Sequence, residues 1–170
     1  MTATPLFQVR QLAQDPADWA AARAHLHAYR AELGVDLSFQ GFAEELADLP
    51  RAYPPPGGVW LALTADSVVG SVALRPLGSR LAELKRLFVL PSARGCGVGR
   101  ALVEAALRAA RAAAFHAVRL DTLSGMTEAQ GLYRALGFRP ISPYGPESLS
   151  GTQYFELALV ETAAKGASRG

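Results

Sequence analysis

Between an apolar run and an alanine-rich stretch the chain reads Arg94-Gly95-Cys96-Gly97-Val98-Gly99-Arg100. Glycine lets a backbone approach a ligand closely, and a helix start offers unpaired N–H groups at the positive end of its dipole. With an arginine near each end, such a segment suits a pyrophosphate. It is not a P-loop, because Gly-Lys-Ser/Thr is missing, and Gly95, Gly97 and Gly99 are too evenly spaced for G-x-G-x-x-G. A glycine turn that only packs a helix close to a sheet would read the same way.

Other reactive residue types are sparse. Cys96 is the single cysteine of 170 residues, which excludes an internal disulfide framework and a Cys-based zinc site and suits a reducing cytoplasm. His25 and His27 are two residues apart and cannot share a helix face, and no cysteine or carboxylate cluster accompanies them, so no metal is expected. His116, at the start of a strand, reads as structural.

Charge is unevenly distributed. The formal net charge of +2 conceals a basic middle, residues 85–139, between acidic flanks. That arrangement fits an anionic ligand held centrally better than a nucleic-acid tail. The stretch 101–118 is apolar but interrupted by Glu104, Arg108 and Arg111, so no membrane span is expected. The first residues, MTATPLFQVRQLAQDP, lack a basic region followed by an apolar run, so no signal peptide is expected either. Arginine outnumbers lysine 15 to 2, a habit of GC-rich bacterial genomes.

The elements that must position the loop follow from periodicity and punctuation. Residues 6–12 alternate as a strand. Asp15-Pro16 then opens a helix, with aspartate as N-cap and proline at its first position. Trp19, Arg23, Leu26, Tyr29, Arg30 and Leu33 follow at helical spacing, and Gly34 closes the helix. Ser38 is a candidate cap for a second helix with Phe39, Phe42, Leu46 and Leu49 inward, while Pro50 and the run 53–58 should form a rigid loop. Residues 59–65 and 68–77 read as a hairpin, and 81–90 as the next strand. From the glycine loop a helix runs to about 114, with Val98, Leu102, Ala106 and Ala110 inward and Arg100, Glu104, Arg108 and Arg111 in a solvated stripe. A buried strand at 117–122, a helix at 127–136 stopped by Gly137, and closing strands at 138–141 and 154–160 complete one domain over 1–160. Residues 161–170 read as a flexible tail. The order predicts an α/β fold, a mixed sheet with helices on both faces.

Arg94, Gly97 and Gly99 after a strand, followed by Leu132-Tyr133-Arg134-Ala135-Leu136-Gly137-Phe138, resemble the R-x-x-G-x-G and L-Y-x-x-L-G-F motifs of the GNAT superfamily of acetyl-CoA-dependent N-acetyltransferases. The resemblance extends through Glu83-Leu84-Lys85-Arg86-Leu87-Phe88-Val89 and Arg119-Leu120-Asp121-Thr122-Leu123, and covers about 6 to 160. Asp36-Leu37-Ser38-Phe39-Gln40 resembles a segment of one bacterial, small-molecule branch.

It implies a mostly antiparallel sheet of six or seven strands with a splayed central pair, and direct acetyl transfer to an amine in a ternary complex. Acetyl-CoA is the implied co-substrate. Its pyrophosphate would lie on the amides of Arg94, Gly95, Cys96, Gly97, Val98, Gly99 and Arg100. Leu87, Phe88 and Val89 would pair with the pantetheine arm as with an added strand, a β-strand N–H near Phe88–Val89 facing the thioester oxygen. Tyr133 is the implied acid for the departing thiolate, with a core aromatic as the other reading. Glu83 is the implied base, with an ordinary strand-entrance charge as the other reading. Direct transfer needs no nucleophile, so Cys96 reads as a small residue in a tight loop. Many family members carry asparagine seven residues before the tyrosine, where this chain has Met126.

The acceptor should lie between 34–58 and the loop 142–153, which holds Tyr144, Glu147 and Gln153. Asp36, Glu44, Glu45 and Asp48 would either attract a cationic amine or form a solvated face. A small-molecule amine is the expected partner, with no nucleic acid or membrane and with a homodimer left open. A protein N-terminus or lysine, and a non-catalytic acyl-CoA sensor, are the competing readings. Replacing Arg94 by alanine should weaken CoA binding by about 1.5–3 kcal/mol, the scale of a charged hydrogen bond. A calorimetric titration with unaltered affinity would remove Arg94 from the site.

Overall fold

The computed structural model describes residues 6–13, 15–34, 36, 41–78, 80–145 and 150–159. The proposed Ser38 cap, Leu37, Phe39 and Gln40, Glu147 and the expected tail at 161–170 lie outside the described residues. The strands are β1 (Gln8–Gln11), β2 (Gly58–Leu63), β3 (Val68–Pro76), β4 (Leu81–Val89), β5 (Ala117–Thr122), β6 (Arg139–Ile141) and β7 (Gln153–Ala158). The helices are α1 (Pro16–Leu33), α2 (Phe42–Ala47), α3 (Leu49–Ala52), α4 (Val98–Ala112) and α5 (Thr127–Ala135). One sheet of order β1-β2-β3-β4-β5-β7-β6 contains all seven strands, and every neighbouring pair is antiparallel except β4 and β5.

Local chemistry starts and stops the elements much as anticipated. The Asp15 side chain accepts a hydrogen bond from Ala17 N at 2.8 Å, and Gly34 ends α1 in the left-handed region at φ 61°. The region after Gly41 differs from the single helix expected. The chain breaks at Asp48, whose carboxylate caps Arg51 N, and Pro50 sits in the first turn of α3. Proline lacks a donor but is pre-set for the start of a helix, so here it opens a turn where a loop had been expected.

Two cores flank the sheet. On one face Val98, Leu102, Ala106 and Ala110 of α4 and Tyr133 of α5 pack on Trp60, Val72, Leu74 and Leu84. On the other, Trp19, Leu26 and Tyr29 of α1 and Phe42, Leu46 and Leu49 pack on Val59, Leu61, Ala73 and Phe88. Arg100, Arg108 and Arg111 are exposed along the outer side of α4.

β4 departs from regular pairing at its middle. Its register with β3 shifts so that the three steps from Lys85 to Phe88 span the two from Ala73 to Ser71, a β-bulge. Arg86 occupies the left-handed region at φ 58°, which costs a residue with a Cβ roughly 1–2 kcal/mol. Its guanidinium is held in return by Glu45, with Nε–Oε1 at 3.0 Å and Nη2–Oε2 at 2.7 Å. It also lies over the Phe42 ring at 4.8 Å. The Tyr53 hydroxyl donates to Glu45, and the Ser71 hydroxyl donates to the Arg86 carbonyl at 3.2 Å. Glu45 is therefore a buried partner of the bulge, neither the solvated charge nor the amine attractor anticipated for it.

Burial raises the Glu45 carboxyl, but the hydrogen bonds and charge of Arg86, helped by Tyr53, outweigh it and hold the pKa below its ordinary 4.5. A lowered folded-state value means that the stabilisation is present above the unfolded carboxylate value and is lost as pH falls through the folded one. Removing one partner of a buried pair costs about 3–5 kcal/mol. Glu45→Ala should show a loss of that size in urea unfolding at pH 7, with the gap from the wild type narrowing below the ordinary carboxylate range.

Candidate active site

The bulge opens the sheet. β4 and β5 pair only where Leu81, Ala82 and Glu83 face Ala117, Val118 and Arg119. Beyond that β4 continues to Val89 and β5 to Thr122 without pairing, so Leu87, Phe88 and Val89 border the gap as the sequence implied. α1 and α5 stand on opposite faces. The charges of Tyr29 and Asp121 nevertheless help raise the Tyr133 phenol, after burial as the main cause.

Past the gap, the Arg94–Arg100 segment leads into α4. Gly97 is its N-cap at φ 81°, and no side chain caps the first turn. A Cβ placed at Gly95 or Gly97 would meet nothing within 4 Å. These glycines serve backbone conformation in open space, not packing. The first-turn amides of α4 are unpaired within a helix by rule and carry no side-chain cap, the condition under which a helix start takes an anion. This uncapped cradle fits a pyrophosphate. Close helix–sheet packing is supplied by Gly70 of β3, which sequence reading passed over: a Cβ there would lie 2.9 Å from Leu102 Cδ1 and 3.0 Å from Val98 Cγ1.

The arginines of the segment are differently engaged. Arg94 Nε donates to the Val89 carbonyl at 3.0 Å, and its Nη2 lies 3.4 Å from Glu32. Arg100 pairs with Glu104 at 3.0 Å on the helix surface. Cys96 is exposed, its Sγ 3.8 Å from the Arg94 carbonyl. Val98 is buried, and a Cβ placed at Gly99 would meet Leu132 Cδ2 at 3.5 Å and Val89 Cγ2 at 3.6 Å, ordinary contact.

Tyr133 is 5% exposed and packs against Phe138 and Phe155, with ring centroids 5.6 and 6.4 Å away. Its ring is a core aromatic, so packing and an acid role are not exclusive. Met126 stands at the N-cap of α5 without a side-chain cap. His25 is buried 5.2 Å from the Phe88 ring and His27 is exposed. His116 meets Arg80 at 2.9 Å. No group of three or more His, Cys, Asp or Glu able to hold a metal occurs among the described residues.

Glu83, the last β4 residue paired to β5, is 4% exposed. Its Oε1 receives Arg75 Nε at 2.9 Å and Nη2 at 2.6 Å, and its Oε2 accepts the Tyr144 hydroxyl at 2.8 Å. Burial first, then the charge and hydrogen bond of Glu83, raise the Tyr144 phenol, which stays protonated. The Tyr144 ring lies 5.5 Å from the Arg119 guanidinium and edge-on to Tyr154 at 5.3 Å. The tertiary link from Tyr144 to Glu83 joins the predicted acceptor loop to the predicted base. Lys85 and Asp121 also approach the gap; both stood in the resembling segments, and strand parity with Glu83 and Arg119 was the signal available for them.

Residues 11–138 match the acetyltransferase (GNAT) family. The chain is 34% identical over 134 residues to a Schizosaccharomyces pombe protein named as an uncharacterized N-acetyltransferase, covering 77% of this chain and 82% of that one. It is 37% identical over 113 residues to an IAA acetyltransferase of Azospirillum brasilense, covering 64% and 73%. Among solved structures, a Streptococcus agalactiae acetyltransferase superposes with TM-score 0.75 at 24% identity, over 92% of this chain and all, 100%, of that one. A Salmonella typhimurium protein solved with its cofactor acetyl-CoA superposes with TM-score 0.66 at 21% identity, over 95% and 99%.

Gly70→Ala should push the first turn of α4 off the sheet and cost about 1–3 kcal/mol, the range for overpacking. Thermal and urea unfolding check this, and unchanged stability would mean that α4 yields freely.

Proposed function

The chain belongs to the GNAT acetyltransferase family, dependent on acetyl-CoA, and from that premise we propose that it moves the acetyl group directly to a primary amine of a small molecule. The observation that carries this reading is the opening between β4 and β5, which begins past Glu83 and its Tyr144 partner, with β4 running on toward the uncapped start of α4.

In this reading the amides of the 94–100 segment hold the pyrophosphate, with Arg94 and Arg100 adding charge from its edges. The free edge of Leu87, Phe88 and Val89 pairs with the pantetheine arm, and a backbone N–H near Phe88–Val89 polarises the thioester carbonyl. The nitrogen–carbon bond forms as the carbon–sulfur bond breaks. One proton must leave the amine and one must reach the thiolate.

A lysine-like amine has a pKa of about 10.4, so presenting it neutral at pH 7 costs roughly 4–5 kcal/mol. Glu83 shares that cost. Its Oε1 pairs with Arg75, and the Tyr144 hydroxyl on Oε2 gives it a relay: the phenol oxygen takes a proton from the acceptor while passing its own to Oε2. Burial keeps Tyr133 protonated at neutral pH, the form in which it can give a proton to the thiolate.

Free-thiol release from acetyl-CoA across a panel of amines and peptides tests this directly. Small primary amines should support turnover, and silence across the panel with CoA binding intact would overturn the reading. Tyr133→Phe should lower kcat by roughly 10²–10⁴ with little change in acetyl-CoA affinity. Undiminished turnover would return Tyr133 to packing alone.

A further inference from the structure

Lys85 lies one residue before the left-handed Arg86, on the face of β4 that carries Glu83, and its side chain is only 8% exposed. Its one carboxylate neighbour among the described residues is Glu83 at 3.8 Å, beyond hydrogen-bonding distance and already engaged by Arg75 and Tyr144. Burial lowers the Lys85 pKa, opposed by the Glu83 charge.

Asp121 lies across the opening on β5. Val118 and Leu120 point into the α4 core, so by alternation Arg119 and Asp121 take the other face. The Asp121 carboxylate has no hydrogen bond or ion pair among the described residues, yet Tyr29, Lys85, Tyr133 and Tyr144 all feel its charge. Its cross-strand partner on β7 is Tyr154, whose side chain therefore shares that face. Tyr154 is 5% exposed, and its hydroxyl is buried without a partner among the described residues.

We propose that this face is the acceptor site of an amino acid, its carboxylate taken by the Lys85 ammonium and the Tyr154 hydroxyl and its amino group by Asp121. The assignment rests on the acetyl-transfer reading above and names the acceptor for it. The buried Lys85 ammonium has only a long ion pair to a carboxylate it shares with Arg75 and Tyr144, the buried Tyr154 phenol and the Asp121 carboxylate have no hydrogen-bond partner among the described residues, and Lys85 and Asp121 form no ion pair with each other. Buried polar and charged groups are costly unless matched. A zwitterion carries two opposite charges a few bonds apart and answers all three needs at once. A polyamine would bring a second cation toward Lys85, and a peptide N-terminus would offer it a neutral amide in place of a carboxylate.

The full chain, with acetyl-CoA and free-thiol release as readout, decides the matter on matched acceptors: α-amino acids, their methyl esters, and the amines that lack the carboxylate. Wild-type kcat/KM should favour the amino acid over both analogues on the order of ten- to hundredfold, the value of one charged hydrogen bond. In Lys85→Met that ratio should fall to near unity, and in Lys85→Arg most of it should remain. Each ratio is internal to one variant, so a reduced folded fraction does not alter it. Equal use of ester and amino acid by the wild type, or an unchanged ratio in Lys85→Met, overturns the amino-acid assignment and leaves acetyl transfer standing. No thiol release with any amine overturns acetyl transfer itself, and this assignment with it.

Discussion

Arg86 in a left-handed backbone conformation, gripped by a buried carboxylate, is the constraint on which the site depends. A strand interior does not hold that conformation unaided. The two hydrogen bonds from Glu45, the Phe42 ring beneath the guanidinium and the Ser71 hydroxyl on the Arg86 carbonyl secure it. Glu45 comes from α2 and Tyr53 from just past α3, so the helices beside the predicted acceptor region are clamped to the bulge by the same contact.

From that bulge the rest follows geometrically. A bulge adds twist and bends its strand, and β4 leaves β5 after Glu83. The gap leaves the β4 edge from Leu87 to Val89 unpaired with β5, on the strand that leads to the start of α4. Gly70 sets the depth at which α4 rests, and the open backbone at Gly95 and Gly97 leaves the approach to its amides clear. Structural strain and functional access are thus two consequences of a single residue's conformation.

Most of the architecture was legible in the chain because its signals are local. The 117–122 run, the Asp15-Pro16 helix start and the Gly34 stop depend on neighbours within a few residues, and each appears where expected. Helix stripes were nearly as legible: Val98, Leu102, Ala106 and Ala110 are buried as their spacing required. The break at Asp48 was not, because a proline reads alike whether it ends one helix or begins another. Glu45 was misread for a related reason. A charge on a short helix looks solvated until a partner 41 residues away is folded against it.

The sequence by itself determined the element types, the mixed sheet and the glycine-led start of α4, since periodicity, capping and turn propensity act over short separations. It also carried the family, through motifs whose order and spacing are written along the chain. Only the tertiary structure decided which charges are spent and which remain. Glu83 and Lys85, Asp121 and Tyr154, and Arg86 and Glu45 come from separated elements, and whether a charge finds a partner is a property of the packed sheet. The opening between β4 and β5 likewise exists only once the register shift against β3 has been made, because a bulge is a relation between two strands and not a feature of either one.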